Sequence, residues 1–238
     1  MSNESNFKGF SKETIDFFHN LRKNNNKDWF HSHKKDYETF VMEPARTFIT
    51  AMGSRLRSLS PDINAIPKVN KSLFRISRDI RFSPDKSPYK THLGIFFWEG
   101  NRPRMECSGF YFHLEPHKLI LGVGLYMFPR QLLDHYRKSV IHPEYGKELS
   151  ILLKKTLKIK GFSLGGEHYK RVPAGYDPSH PNARLLLHNG LHVGQEIGLP
   201  DELYSSRLLE YCWKKYRPLA PLHRWLVSMS SRKPQFKM

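Results

Sequence analysis

The sequence is poor in cysteine, in acidic residues and in long apolar runs. Its two cysteines, Cys107 and Cys212, stand far apart with no C-x-x-C. That excludes a disulfide scaffold and a cysteine-built metal fold. No sequence neighbour of either thiol marks a thiolate-stabilising partner, so both read as packed side chains. No apolar stretch approaches the ~20 residues of a spanning helix, so no membrane span is expected. The opening Met1-Ser-Asn-Glu-Ser-Asn lacks the basic region and apolar core of a secretory leader, and the expectation is a cytoplasmic protein. P-loop, G-x-S-x-G, H-E-x-x-H, zinc-finger and EF-hand patterns are absent as well.

What is abundant is positive charge. Lys and Arg number 39 against 22 Asp and Glu in 238 residues, a formal net charge of +17. Polyanions are natural partners for such a chain: nucleic acid, nucleotides, phosphorylated metabolites or anionic lipid. Charge alone does not choose among them, because a basic surface also simply keeps a protein soluble. Residues 71–92, 145–171 and 204–238 are the richest segments. At 39% hydrophobic and 13% aromatic, the chain has enough apolar surface to fold.

Periodicity divides the chain into helical ends and a strand-rich middle. Ser11 caps an expected helix over 12–23, ended by Asn24-Asn25-Asn26. A second helical stretch starts near Lys27, is kinked or ended at Pro44, and continues to about Leu59. Residues 73–82 alternate strictly and predict a strand, with Phe74, Ile76, Arg78, Ile80 and Phe82 on one face. Further strands are expected over 89–98, 107–115 and 118–127, joined by short hairpin connections. Gly122 and Gly124 would admit close approach by a helix or ligand. Helices follow Pro129 and Glu144, and a helical region from Pro200 to about Met229 is broken near Pro218 and Pro221. The fold expected is α+β, a central, mostly antiparallel sheet flanked by N-terminal and C-terminal helices. One domain over 1–238 is expected, with 1–7 disordered and 230–238 a flexible basic tail.

The densest chemistry lies in one segment: Arg75-x-x-Arg78-Asp79-x-Arg81-Phe82-x-x-x-Lys86-x-Pro88-Tyr89-Lys90-x-His92. This pattern resembles the signature of an uncharacterised bacterial family, domain of unknown function 2461. The stretch from Asn25 to Glu38 (N-N-x-K-x-W-F-x-x-H-K-x-x-Y-E) and Phe112-His113-Leu114-Glu115-Pro116 resemble it too. The resemblance implies relatives and a shared functional region, but no reaction.

Read directly, the segment suits an anion. Arg75, Asp79 and Arg81 share a strand face, about 7 Å between alternate residues, where two guanidiniums flank a carboxylate. Arg78 interrupts an apolar face, so it needs a partner: a carboxylate such as Asp85 or Glu115, or a bound anion. Lys86 and Lys90 surround Pro88, which stiffens the loop, and Tyr89 offers a stacking face or a hydroxyl. Lys27, Trp29, His33 and Lys34 lie in the second stretch that carries the resemblance and join the expected binding set. His31 and His33, two apart on a helix, do not point together as metal ligands.

His113 and Glu115 are two apart on one strand, hence on one face. If that strand pairs with the one after His92, all three converge. Such a set is the minimum for a catalytic zinc, but spacing without geometry assigns no metal and leaves any cofactor unknown. Asp79, His92, His113 and Glu115 are instead the candidates for proton transfer, against hydrogen-bonded structural histidines as the plainer reading. The function expected is a basic pocket for an anionic, phosphate-containing small molecule, in a binding protein or an enzyme. The alternatives are a nucleic-acid-binding protein or nuclease, and a structural or partner-binding protein. Oligomeric state is not readable from the sequence.

Overall fold

Ser11 lies extended at the start of helix α1 (Lys12–Lys23), whose apolar residues Phe17, Phe18 and Leu21 are buried. The structure is a computed structural model and describes residues 6–232. Asn24 ends α1, and Asn26 starts α2 (Lys27–Ser32) by accepting the Trp29 N–H on its side chain at 2.9 Å. A short α3 (Lys34–Asp36) runs into a π-helical turn, Tyr37–Met42, and then into α4 (Glu43–Leu56). Pro44 explains the turn. It has no N–H to give the Phe40 carbonyl four residues back. The Thr14 hydroxyl of α1 supplies the missing donor at 2.6 Å, and so ties α1 to the kink.

The middle of the chain forms one six-stranded antiparallel sheet. Its strands are β1 (Ile63–Asn64), β2 (Leu93–Glu99), β3 (Gly109–Glu115), β4 (Lys118–Leu125), β5 (Ser163–Glu167) and β6 (His188–Ile197), in the order β1-β2-β3-β4-β6-β5. Helices α5 (Arg130–Ile141) and α6 (Pro143–Leu157) follow β4, and α7 (Arg207–Tyr216) and α8 (Ala220–Ser231) close the chain. This is the α+β architecture expected of an alternating centre between helical ends. Among the described residues no helix is long and apolar enough to cross a membrane.

Residues 73–82 correct the sequence reading. They are not a regular strand. The chain makes isolated bridges, Leu73 to Ile95 and Ser77 to Tyr89, and two backbone bonds across the same gap, Arg78 N–H to Pro88 O at 2.9 Å and Lys90 N–H to Ile76 O at 2.8 Å. Pro88 has no N–H to return to this ladder, so the pairing stops there. The expected apolar face dissolves with it: Phe82 is 93% exposed, while Leu73, assigned to the opposite face, is fully buried.

The chain divides into two compact units. One takes the described residues up to Phe97 with Tyr111–Leu121 and Glu196–Lys215. Its core is an aromatic cluster in which Phe48 meets Phe7, Phe97 and Phe112 at centroid distances of 5.2, 6.4 and 4.7 Å. Phe7 is buried there, so the expected disorder of 1–7 fails at that residue, while residues 1–5 lie outside the described chain. The other unit takes Trp98–Phe110, Gly122–Gln195 and the chain from Tyr216. Tyr136 stacks on Phe128 at 4.5 Å and gives its hydroxyl to Leu185 O at 2.9 Å. Gly124, at φ +140°, is where β6 comes close: a Cβ there would meet Leu191 O at 2.3 Å. The approach expected of a helix or ligand is that of a strand. Of the expected tail, Arg232 packs its guanidinium 3.5 Å from the Tyr145 ring, and 233–238 lie outside the described chain.

Candidate functional site

The site lies in the first unit, where the segment after Ser87 leads into β2 beside β3. Strand alternation decides what β3 offers. Phe110, Phe112 and Leu114 are wholly buried on one face, and Tyr111, His113 and Glu115 lie on the other. His92 immediately precedes β2, which pairs with β3, and the convergence conditional on that pairing is met. The His92 and His113 rings stack at 4.2 Å with planes 24° apart. One donor atom from each of His92, His113 and Glu115 lies within 4.8 Å of the others.

The hydrogen bonds fix which nitrogen carries the proton on His113. Nε2 lies 2.8 Å from Glu115 Oε1, and Nδ1 lies 2.9 Å from the Tyr111 hydroxyl. An ionised carboxylate only accepts, so Nε2 donates to Glu115 and Nδ1 accepts from Tyr111. Arg22 reaches the other carboxylate oxygen, Oε2, at 3.5 Å, and Lys118 lies 4.0 Å from Oε1. Burial pushes the Glu115 carboxyl up, but the His113 hydrogen bond and the neighbouring positive groups outweigh it and hold it below its usual range. Burial lowers His113 against the pull of Glu115. His92 is pushed down to about 4, by burial first and then by His113 and Lys90, so at neutral pH it is an uncharged imidazole. Among the described residues neither ring nitrogen of His92 has a hydrogen-bond partner.

His92 also forms part of a recess of about 320 Å³, shared with Arg22, Asn25, Arg78, Asp85, Ser87, Tyr89, Lys90 and Thr91. Asn25 builds it: its side-chain amide donates to Tyr89 O at 2.9 Å, and its carbonyl accepts the Tyr89 N–H at 3.1 Å. The Tyr89 ring stacks on Phe30 at 4.2 Å. Arg78 finds the carboxylate partner expected of it in Asp85, and also donates to Ser87 O at 3.1 Å and Ser83 Oγ at 3.2 Å. It therefore clamps the 83–87 loop while its side chain, 25% exposed, edges the recess. The serine and arginine bonds hold Asp85 near pKa 2.

The structure does not bring the rest of the signature here. Arg81 turns back on Asp79 in a two-pronged pair, 3.0 Å from Nε to Oδ1 and 2.8 Å from Nη2 to Oδ2. The pair is exposed and holds Asp79 near pKa 2. Asp79 is thus no proton-transfer group of this site, and Arg81 is no ligand contact of this recess. Arg75 is exposed outside it, and Lys86 Nζ donates to Ile80 O at 3.1 Å. The common cause is the broken strand: beyond Arg78 the backbone pairing with residues 88–90 ends, so the segment does not present one cationic face.

A second depression of about 420 Å³ lies on the other side of Tyr89, formed with Lys27, Asp28, Phe30, His31 and Lys34. It collects Lys27 and Lys34 as expected. Trp29 and His33 instead stack on each other at 4.0 Å, and His33 Nδ1 lies 2.8 Å from Trp29 O. His31 borders this depression, whereas His33 packs on Trp29. Arg22, Asn25 and Tyr111 escaped the sequence reading. Asn25 alone carried a signal, its place in the stretch that includes Trp29 and Phe30.

A second histidine chain lies in the other unit. Ser108 Oγ is 2.9 Å from His223 Nδ1, and His223 Nε2 is 3.0 Å from Glu99 Oε2. Ser108 is 3% exposed and His223 fully buried, so this set lies inside the unit and not at a recess.

The fold and the recess together define an α+β protein with a recess lined by Arg22, Arg78 and Lys90, by the Asp85 carboxylate and by His92, one of two stacked imidazoles. The family model of the conserved hypothetical protein DUF2461 matches residues 13–225, and the chain belongs to that family. No curated protein matches it.

Proposed function

We propose that the chain binds an anionic, phosphate-bearing small molecule in the recess of Arg22, Arg78, Tyr89 and Lys90. One observation carries the reading: three cationic side chains from separate parts of the first unit edge one concave space beside an uncharged imidazole. Cationic groups around a recess concentrate anions, and a guanidinium already oriented by Asp85 and Ser87 loses little freedom when it meets a phosphate. His92 stands at the wall, with His113 stacked on it and Glu115 bonded to His113, as the groups fit for chemistry on the bound molecule. A second reading, single-stranded nucleic acid, is favoured by the depression across Tyr89. There Lys27 and Lys34 extend the cationic surface beside aromatic rings, the composition of a strand-binding groove.

A thermal-shift screen separates the two. Inorganic phosphate, pyrophosphate, nucleotides and a short oligonucleotide are added to the wild type, to Arg78→Lys and to Lys27→Ala/Lys34→Ala. A ligand of the native state raises the melting temperature. Small-molecule binding is expected to survive the Lys27/Lys34 change and weaken in Arg78→Lys. Stabilisation by the oligonucleotide alone, lost on the Lys27/Lys34 change, would replace the first reading with the second.

A further inference from the structure

We infer that His92, His113 and Glu115 form a binding site for one divalent first-row transition ion of the zinc type. Two imidazoles and a carboxylate are the donor set that such ions take, and three protein ligands leave positions open for water or substrate. The donor atoms already lie within 4.8 Å of one another. Donors at about 2.0–2.1 Å from a tetrahedral zinc stand about 3.3 Å apart, so the 2.8 Å between His113 Nε2 and Glu115 Oε1 must open only slightly.

The surroundings suit the ion. Ligating histidines hold their second nitrogen on an oxygen, and here that oxygen is the Tyr111 hydroxyl. With the ion on Nε2 the imidazole carries its proton on Nδ1 and donates it to Tyr111, whose hydroxyl rotates to accept. His113 keeps its proton count, and no co-reactant is needed. Arg22 occupies Oε2 of Glu115 and leaves Oε1 turned to His113.

His92 is the moving ligand. Parallel stacked rings send their lone pairs in parallel, so His92 must swing for its nitrogen to converge with Nε2. Among the described residues its ring is held by stacking on His113 and by no hydrogen bond, so it is free to turn. His92 belongs to the recess wall, so an ion on it faces the space proposed for the anion. The metal inference stands without that anion.

The test is titration of chelator-treated full-length protein with Co²⁺ and with Zn²⁺ in phosphate-free buffer, followed by cobalt visible absorption and calorimetry. The wild type is expected to take up one ion per chain with the intense absorption of low-coordinate cobalt. His92→Ala and Glu115→Gln are each expected to weaken uptake at least tenfold, and Tyr111→Phe about tenfold through orientation. His31→Ala, outside the set, leaves uptake unchanged. Should Glu115→Gln fail to fold, His92→Ala decides the question by itself. No stoichiometric uptake by the wild type, or uptake that persists in His92→Ala, overturns the site. Phosphate binding by the metal-free protein is measured separately, so either idea fails independently of the other.

Discussion

Arg78 and Arg81 stand three residues apart in one signature and end in opposite settings. Arg78, 25% exposed, holds Asp85, Ser83 and the Ser87 carbonyl and edges the recess. Arg81, 76% exposed, folds back on its near neighbour Asp79 and meets nothing else of the site. The same chemistry serves two ends because the backbone pairing with residues 88–90 stops at Arg78, before Arg81. A guanidinium whose partners lie five to nine residues away staples a loop. One whose partner lies two residues away, in water, makes an ion pair of little worth. The difference teaches that a cluster of cations in sequence is a site only where the backbone turns them to a common space.

Substitutions sharpen that contrast, and the largest effect belongs to Arg78→Ala. It releases the 83–87 loop and removes a recess cation. Phosphate affinity should fall about tenfold or more, the range for a lost charged hydrogen bond, and the melting temperature should drop. Calorimetry and a melting curve check both. Asn25→Ala comes next. It frees the Tyr89 backbone from two bonds, each worth about 0.5–1.5 kcal/mol, and should lower stability by about 1–3 kcal/mol in urea titration, with a smaller loss of affinity.

A pH series gives a third, smaller effect. The His92 imidazole titrates near 4 in the fold against an ordinary 6.5. Between those values the unfolded chain binds the extra proton, so stability is complete above about 6.5 and is lost as pH falls toward 4. Burial pushes His113, His188 and His192 in the same direction. Melting temperatures from pH 7 to 4 should therefore fall, and His92→Asn should flatten part of that slope. An unchanged slope in the variant would remove His92 from the buried, uncharged role. Arg81→Ala should do least, with phosphate affinity and melting temperature close to wild type.

Much of the fold was legible because local signals were strong. Ser11 and Asn24 bound α1 at Lys12 and Lys23, and the hairpins from Leu93 to Leu125 follow from alternation punctuated by Gly100 and Pro116. The 73–82 segment misled because alternation describes a side-chain pattern, whereas a strand also needs a partner with N–H groups, and Pro88 removes one. The site was half legible. His92, His113 and Glu115 were visible as a set conditional on strand pairing. Arg22, Asn25 and Tyr111 were not, because their roles depend on elements distant in sequence: Asn25 bonds a backbone 64 residues away.

The most direct measurement is an isothermal titration of pyrophosphate into metal-free wild type, Arg78→Ala and Arg81→Ala at one fixed, low salt concentration. Saturable one-site binding in the wild type, weakened about tenfold or more by Arg78→Ala and unchanged by Arg81→Ala, is the expected result. No saturable binding in the wild type, or equal losses in both variants, would contradict an anion seated in this recess.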